Sequence, residues 1–487
     1  MRIAAALLLL VPWALEAQED PAAALSPELK KLIDVFAAVE SEAADPVDPA
    51  QAIYQGAIPG MLRTLDPHSI FFDPDQFQQL QQMQRSEAKG FGTIVSIVPG
   101  RVIILQTMEG SPSAKSGLSP GDEILGINNI PLARLDPDQL VQLLTEARQR
   151  AAVLDVRRPG NARIFRMTLT PELIDTPSID RVFLTAPGIG YIRIKAFEEA
   201  TGRLTKESIE KLGGAKLEGL ILDLRENPGG SVQAAAETAS LFLKPDQLIF
   251  NIKGRKESDT QVVKVPPAAE PYAFPLAVLV DSKTASASEI LTGALQDHDR
   301  ATVLGEPTYG KALVQNVFPT MANTGLALTI AFYYTPSGRS IQKPLASGSL
   351  NIQAKAPAGD FHTDSGRPVA GGGGILPDIA TGPAAQSQLM VVLDATGALT
   401  SFAGEYVRKN EITEAFAVTP TILDQLQVFL SERNIRPGVG DWLRDRDLIQ
   451  SKLKQDVFNL KFSVAKGDEV EVARDPVVLR ALREIAK

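Results

Sequence analysis

The spacing of apolar residues changes along this chain, and each change marks a different kind of element. Leu29, Leu32, Ile33, Phe36 and Val39 recur every three to four positions, the spacing of one helix face. Residues 18–28, rich in Ala, Pro and acid, read as a loose leader before that helix. Residues 52–65 give a second helix, which Asp66-Pro67 stops; the whole stretch 27–84 is expected to be mostly helical. From Phe91 the period falls to two. Residues 91–98 alternate, turn at Pro99-Gly100, and residues 102–106 pair back. Ser111 to Leu118 has Pro near the start and Gly near the end of a short helix. Residues 122–127 form a strand, Asn128-Asn129 suits a turn with positive φ, residues 136–148 form an amphipathic helix and residues 152–156 a further strand.

From Ile189 onward the pattern becomes continuous apolar runs. Residues 190–194, 219–224, 276–280 and 301–304 read as buried strands, the middle ones with the unbroken apolarity of parallel pairing. Helical stretches 200–212, 231–243 and 287–297 fall between them. This βαβ alternation predicts an α/β core. Beyond residue 386 helices dominate: Ile422, Leu426, Phe429 and Leu430 line one face, Leu448, Leu453, Val457 and Leu460 another, and Pro437-Gly438 separates them.

Length and composition narrow the classes. With 487 residues, two to four domains are expected. A net charge of -9 argues against nucleic-acid binding. There is no cysteine, and His68, His298 and His362 show no ligand spacing, so no metal site and no cofactor are expected. Arg2 followed by the apolar run 3–15 reads as a signal peptide over residues 1–17, cleaved after Ala17. That places the chain outside the cytoplasm, in the periplasm or cell envelope, anchored there if the signal stays uncleaved. Without disulfides the exported chain must rely on a full-sized core.

Two strand-to-helix corners carry candidate chemistry. At Asp223-Leu224-Arg225-Glu226-Asn227-Pro228-Gly229-Gly230 the glycines let backbone amides face a ligand, and the helix start adds a positive dipole end. After the strand ending at Asp281, the run Thr284-Ala285-Ser286-Ala287-Ser288-Glu289 offers three hydroxyls as nucleophiles; spacing alone does not choose among them. Thr284 is expected to be the helix N-cap, and Ser288 to lie inside the helix. Lys311, in a Gly-Lys-Ala turn, becomes a base if burial strips its charge. His298, in a charged helix end, is expected to be an exposed cation, and His68 and His362 are weaker rivals to Lys311.

Two family resemblances rest on these residues. Gly110-Ser111-Pro112, Ala114, Gly117-Leu118 and Gly121-Asp122, with Ile124, Ile127, Asn128 and Pro131, resemble a PDZ domain over residues 87–172. The resemblance implies capture of a peptide tail by strand addition, with Gly90, Phe91, Gly92 and Thr93 as the carboxylate loop. Leu65-Asp66-Pro67-His68-Ser69, the two corners above, Gly305 to Lys311 with Val314-Gln315, and Asp364-Ser365-Gly366-Arg367 with residues 371–377 are similar to the carboxyl-terminal processing (tail-specific) serine proteases. That resemblance implies a crotonase-like α/β protease core over residues 173–383, with the PDZ-like unit inserted after an N-terminal helical region at 27–86. The helical C-terminal extension spans residues 384–487.

It also implies roles: Ser286 as nucleophile, Lys311 as base, Gln315 orienting the lysine, and the amides of Gly230 and Ala287 as oxyanion donors. The substrates would be polypeptides with free C-termini. Thr284, Lys283 and Ala312 depart mildly from the family pattern. A homo-oligomer through the C-terminal helices and an adaptor or activator protein are further partners the reading allows. A silent peptide-binding scaffold and a crotonase-like acyl-CoA enzyme are the rival classes; tail capture without turnover would mark the first, and the export signal and PDZ-like insert disfavour the second.

Overall fold

The computed structural model describes residues 21–84, 87–158, 160–161, 163–255, 260–344, 360–382 and 386–487. The expected signal peptide lies outside them. Residues up to Leu65 form one compact unit and residues from Asp66 onward another. In the first unit, helix α1 (Pro21–Glu42) begins within the stretch read as a leader. Three alanines follow Pro21, and alanine favours helix while proline is tolerated in a first turn. The face carrying Leu29, Leu32 and Ile33 is exposed within this unit. The second helix is broken into α2 (Pro49–Gln51), a π-turn (Ala52–Ala57) and α3 (Ile58–Arg63).

The second unit opens with a correction to the helical reading. Ile70–Phe72 is strand β1, antiparallel to a core strand 255 residues later, before α4 (Pro74–Gln84). The β-rich segment follows: β2 (Glu87–Gly90), β3 (Thr93–Val98), β4 (Arg101–Thr107), α5 (Pro112–Lys115), β5 (Glu123–Ile127), β6 (Ile130–Pro131), α6 (Pro137–Ala147), β7 (Ala152–Arg157), β8 (Ile164–Leu169) and β9 (Glu172–Asp175). Its sheet runs β3-β4-β5-β7-β8, so β3 is an edge. Val102, Ile104, Ile124, Leu154 and Val156 pack its core against Leu140 and Leu143 of α6. Asn128 and Asn129 take φ 51° and 64°, as the turn between β5 and β6 demands.

The core contains β10 (Ile179–Ala186), β11 (Ile189–Ile194), α7 (Thr201–Leu212), β12 (Gly219–Asp223), α8 (Val232–Ser240), β13 (Leu248–Gly254), β14 (Gln261–Lys264), β15 (Leu276–Val280), α9 (Ala287–Asp297), β16 (Thr302–Gly305), β17 (Leu313–Thr320), β18 (Thr324–Tyr334), β19 (Phe361–His362), β20 (Pro368–Val369) and β21 (Ile379–Ala380). One sheet has the order β10-β11-β12-β15-β16-β21 and is parallel from β11 onward. Alternate residues sort to its two faces. Ile192, Leu220, Leu222, Val278 and Val280 pack with residues of α7, α8 and α9. Tyr191, Ile221, Ala277, Leu279 and Leu304 pack on the opposite face. A second, antiparallel sheet has the order β1-β18-β13-β14, with β17 also paired to β18.

Six helices close the chain: α10 (Gln388–Thr396), α11 (Ala398–Lys409), α12 (Pro420–Glu432), α13 (Val439–Lys461), α14 (Val464–Val472) and α15 (Pro476–Ile485). The first four share their own apolar cluster. The last two behave differently: Val472, Val477, Val478 and Ala481 cover the free face of the parallel sheet. No helix among the described residues is long and apolar enough to cross a membrane.

Candidate active site

Strands β12 and β15 are neighbours in the parallel sheet, and both corners with candidate chemistry follow their C-terminal ends. The two turns are laced together. Asp281 Oδ1 accepts from the amides of Glu226 (3.0 Å), Lys283 (3.0 Å) and Thr284 (3.0 Å). Ala285 donates its amide to the Asn227 carbonyl at 3.0 Å. Asn227, fully buried, donates from Nδ2 to the Ile194 carbonyl at 2.8 Å and accepts the Gly229 amide at 2.9 Å. Sequence reading assigns Asn227 no role of its own; the structure makes it the joint between the turns.

The cap expectation is corrected. Thr284 does not cap α9: its hydroxyl donates to the Leu224 carbonyl at 2.8 Å and accepts the Asp281 amide at 2.9 Å. It lies two residues too early, because the chain still turns at Ala285 and Ser286. Ser286 occupies the N-cap position with φ 56° and ψ -116°, a conformation that favours glycine. Held so, Ser286 stands at a sharp strand-to-helix elbow, half-buried, while Ser288 is fully buried within α9 with its hydroxyl 3.3 Å from the Asn227 carbonyl. Among the three hydroxyls, those of Thr284 and Ser288 are spent on backbone carbonyls.

Glycine is required opposite this elbow. A Cβ on Gly229 would stand 2.8 Å from Ser286 Cβ and 2.9 Å from the Ala287 amide nitrogen; one on Gly230 would stand 2.1 Å from the Phe197 carbonyl oxygen. Both glycines have positive φ, 98° and 134°. The amide of Gly230, and that of Ala287 at the first position of α9, donate to no acceptor among the described residues. They are two open donors beside one serine.

Glu289 is the residue that sequence reasoning quoted but gave no role. It is fully buried, and all four donors around it come from the Ser286 elbow and the turn that carries Lys311. Its Oε2 accepts the amides of Ser286 (2.8 Å) and Lys311 (2.9 Å); its Oε1 accepts the Gly310 amide (2.7 Å) and the Thr308 hydroxyl (2.5 Å). Ser286 and Lys311 therefore share one carboxylate oxygen through their backbones. Burial pushes the Glu289 carboxyl up, while the hydrogen bonds from Thr308, Lys311, Gly310 and Ser286 oppose that. The Thr308 hydroxyl accepts from the Ile375 amide at 2.7 Å and donates to Glu289; burial still outweighs these bonds, so the carboxyl is held above its ordinary value.

Lys311 is half-buried, and burial lowers its pKa below the ordinary lysine value against the opposing fields of Asp66 and Glu289. Its Nζ donates to Gln315 Oε1 at 2.6 Å, and Gln315 Nε2 donates to the His68 carbonyl at 2.5 Å. The turn holding that carbonyl is fixed by Asp66, 1% exposed, which accepts the amides of His68 (2.7 Å) and Ser69 (2.9 Å) and the Ser69 hydroxyl (2.7 Å). The His68 ring is also held below the ordinary histidine value, by burial and by the charge of Lys311. No hydrogen bond joins the Ser286 hydroxyl to Lys311 Nζ among the described residues.

His298 corrects another expectation. Its ring bonds Asp364 Oδ2 (2.8 Å) and the Leu248 carbonyl (2.7 Å), and its side chain is 9% exposed. The helix end folds back against β13 and the Asp364 turn, so it is a structural clamp away from the elbow. Lys283 is exposed and paired with Glu226 at 2.8 Å.

The loop Gly90, Phe91, Gly92 and Thr93 lies between β2 and the edge strand β3. Gly92 has φ 71°, and its carbonyl is held by the Met108 amide (2.8 Å) and the Ser113 hydroxyl (2.9 Å). The Phe91 and Gly92 amides have no acceptor among the described residues.

The signature of peptidase family S41 matches residues 188–348, and that of the PDZ domain residues 103–158. Over 293 residues the chain is 34% identical to the carboxyl-terminal-processing protease of Synechocystis sp., covering 59% of this chain and 68% of that one. Over 319 residues it is 31% identical to the carboxy-terminal-processing protease of Bartonella bacilliformis, covering 65% and 73%. A solved structure, that of the photosystem II D1 C-terminal processing protease, matches with 24% identity and a TM-score of 0.38 over 67% of this chain and 86% of the other.

Proposed function

We propose that this chain, which belongs to the carboxyl-terminal-processing proteases of peptidase family S41 and is a serine peptidase with a PDZ domain, is exported and cuts polypeptides near their C-termini with Ser286 and Lys311 as a dyad. The observation that carries this reading is the shared Glu289 carboxylate, which ties the backbone of the serine to the backbone of the lysine. Lys311, neutral, takes the proton from Ser286 as the hydroxyl attacks the scissile carbonyl. The carbonyl π electrons move to oxygen, and the amides of Gly230 and Ala287 receive the oxyanion. On collapse the C–N bond breaks, and Lys311 gives its proton to the departing amine. Water then attacks the acyl-enzyme by the same proton path. Gln315, braced on the His68 carbonyl, fixes the amine's direction.

The open amides of Phe91 and Gly92, beside Gly90 and Thr93, supply a place for a substrate's terminal carboxylate, with the free edge of β3 for strand addition. In this reading residues 1–17 direct export, 27–86 form an N-terminal helical region, 87–172 capture the substrate tail, 173–383 cut it and 384–487 form a helical extension.

Mass spectrometry of peptides released from unfolded proteins tests the proposal. Ser286→Ala and Lys311→Ala are each expected to reduce release at least about a thousandfold with unchanged circular dichroism. Parental activity in either folded variant would sink the dyad. His68→Gln distinguishes the bases: its backbone carbonyl remains, so activity is expected within about threefold, whereas abolition would move the base to the His68 ring.

A further inference from the structure

At the end of β12, five residues before Gly230 in the same turn, a partly buried charge cluster that the mechanism does not use begins at Arg225. Strand β12 ends at Asp223, 2% exposed, whose carboxylate accepts from the Tyr191 hydroxyl at 2.6 Å. It also accepts from Arg225 Nε (2.9 Å), Arg225 Nη2 (2.5 Å) and the Arg225 amide (3.0 Å). The remaining arm of the guanidinium reaches away from the core: Nη1 donates to Asp475 Oδ2 at 2.7 Å. Asp475 sits in the turn between α14 and α15. Its other oxygen caps α15, accepting the amides of Val477 (2.8 Å) and Val478 (3.2 Å). One carboxylate thus serves a helix and an arginine at once.

Arg225 is the last residue before the chain enters the left-handed turn at Glu226, φ 61°, that leads into Asn227, Gly229 and Gly230. Beyond that point the loop is held by Asp281 on the Glu226 amide, by the Ala285 amide on the Asn227 carbonyl, and by Phe197, which donates to the Gly229 carbonyl (2.8 Å) and accepts the Ser231 amide (2.6 Å). Before it, Thr284 and Leu279 hold the backbone of Leu224, and the Arg225 fork ties the next residue to Asp223 and Asp475. A planar guanidinium bonded on two sides is fixed in orientation as well as position. Releasing one side frees the residue from which the loop departs.

We infer that the α14–α15 turn positions the oxyanion hole of the peptidase, with Asp475 and Arg225 as positioning residues. The inference rests on assigning that hole to Gly230 and Ala287. Neither Arg225 nor Asp475 is asked to touch substrate. A small displacement of the Gly230 amide weakens the hydrogen bond to an oxygen that carries charge only in the transition state, so the loss falls on kcat and leaves KM in place.

Asp475→Asn in the full chain tests this. Asparagine retains an oxygen to cap α15 but removes the anion from Arg225. With a fluorogenic peptide, kcat is expected to fall roughly tenfold with KM within about twofold. Affinity for a peptide aldehyde, whose hemiacetal oxygen occupies the same hole, is expected to fall by the same factor. Arg225→Lys, which cannot span both carboxylates, is expected to give the same split from the core side. Val478→Ala is the control: it loosens α15 without touching Arg225, and is expected to lower the melting temperature with parental kcat. Parental kcat in folded Asp475→Asn, an equal kcat loss in Val478→Ala, or a kcat loss without weaker aldehyde binding would each overturn the inference. Failure of the dyad reading shows elsewhere, as activity in Ser286→Ala.

Discussion

The two faces of the parallel sheet are covered in different ways. One face meets α7, α8 and α9, which follow their strands closely in sequence and pack through a continuous apolar cluster. The other meets α14 and α15, which arrive from the far end of the chain with a smaller apolar cluster. That second cover is fastened at its margins by charge: Arg181 to Asp468 (2.9 Å) and Glu471 (2.9 Å), and Arg225 to Asp475 (2.7 Å). The first cover holds the helix that follows Ser286 mainly by dispersion and desolvation, with Glu289 and the buried Asp297–Arg339 pair (2.7 Å) as its charged contacts. The second depends on ionised groups whose contribution is small when exposed and conditional when buried. The Ser286 elbow rests on the first kind of support; the cover that reaches the Asn227–Gly230 loop through one arginine uses the second.

Substitutions sharpen this contrast in descending order of effect. Glu289→Ala strands three backbone amides and is expected to destabilise by about 4 kcal/mol and to abolish turnover, read by urea titration and peptide release. Leu291→Ala, on α9 and fully buried, is expected to lose about 3 kcal/mol in the same titration. Val478→Ala on the second cover is expected to lose about 2 kcal/mol. Equal losses at Leu291 and Val478 would break the contrast.

Lys311, in the turn before β17, links stability to pH at the candidate site. Its pKa is lowered in the fold, so the folded chain binds fewer protons than the unfolded one, and stability falls as pH drops from the ordinary lysine value through the lowered one. Lys311→Met is therefore expected to be inactive yet to melt about 2 °C higher at neutral pH. In the parent, kcat/KM is expected to rise with pH through the lowered value. Removing the opposing charge with Asp66→Asn is expected to move that rise to lower pH.

The smallest effect belongs to the C-terminal helices. Burial pushes the Asp456 carboxyl up to about 6 although Thr400 donates to it at 2.9 Å. A raised carboxyl stabilises the fold while protonated, so this contribution is present at pH 4 and lost as pH rises through about 6. Asp456→Asn is expected to raise the melting temperature at pH 7.5 relative to the parent and to leave it unchanged at pH 4.

Much of the core was legible because its signals are local. Continuous apolar runs gave β12 and β15, and the motif around Ser286, Lys311 and Gln315 pointed to one family. What escaped was long-range partnership. Glu289 reads as one acid in a small-residue run, and its donors at Thr308, Gly310 and Lys311 are fixed only by folding. The support of Gln315 by His68 spans 247 positions. The apolar stripe Val477, Val478 and Ala481 announces a helix but not which surface it covers. Thr284 was misplaced as a cap because the elbow delays α9 by two residues, a backbone choice that composition does not encode. Ile70–Phe72 pairs with Gly325, Leu326 and Ala327, so its strand state was set by a partner absent from its own neighbourhood.

The left-handed backbone at Ser286 has a practical outcome for anyone seeking this peptidase's natural clients. Ser286→Ala keeps a β-carbon in a conformation that resists one, whereas Ser286→Gly removes both the alcohol and the torsional penalty. The glycine form is expected to outlast its parent on heating while still retaining tails it never severs, which makes it the sturdier bait for fishing substrates from a cell extract.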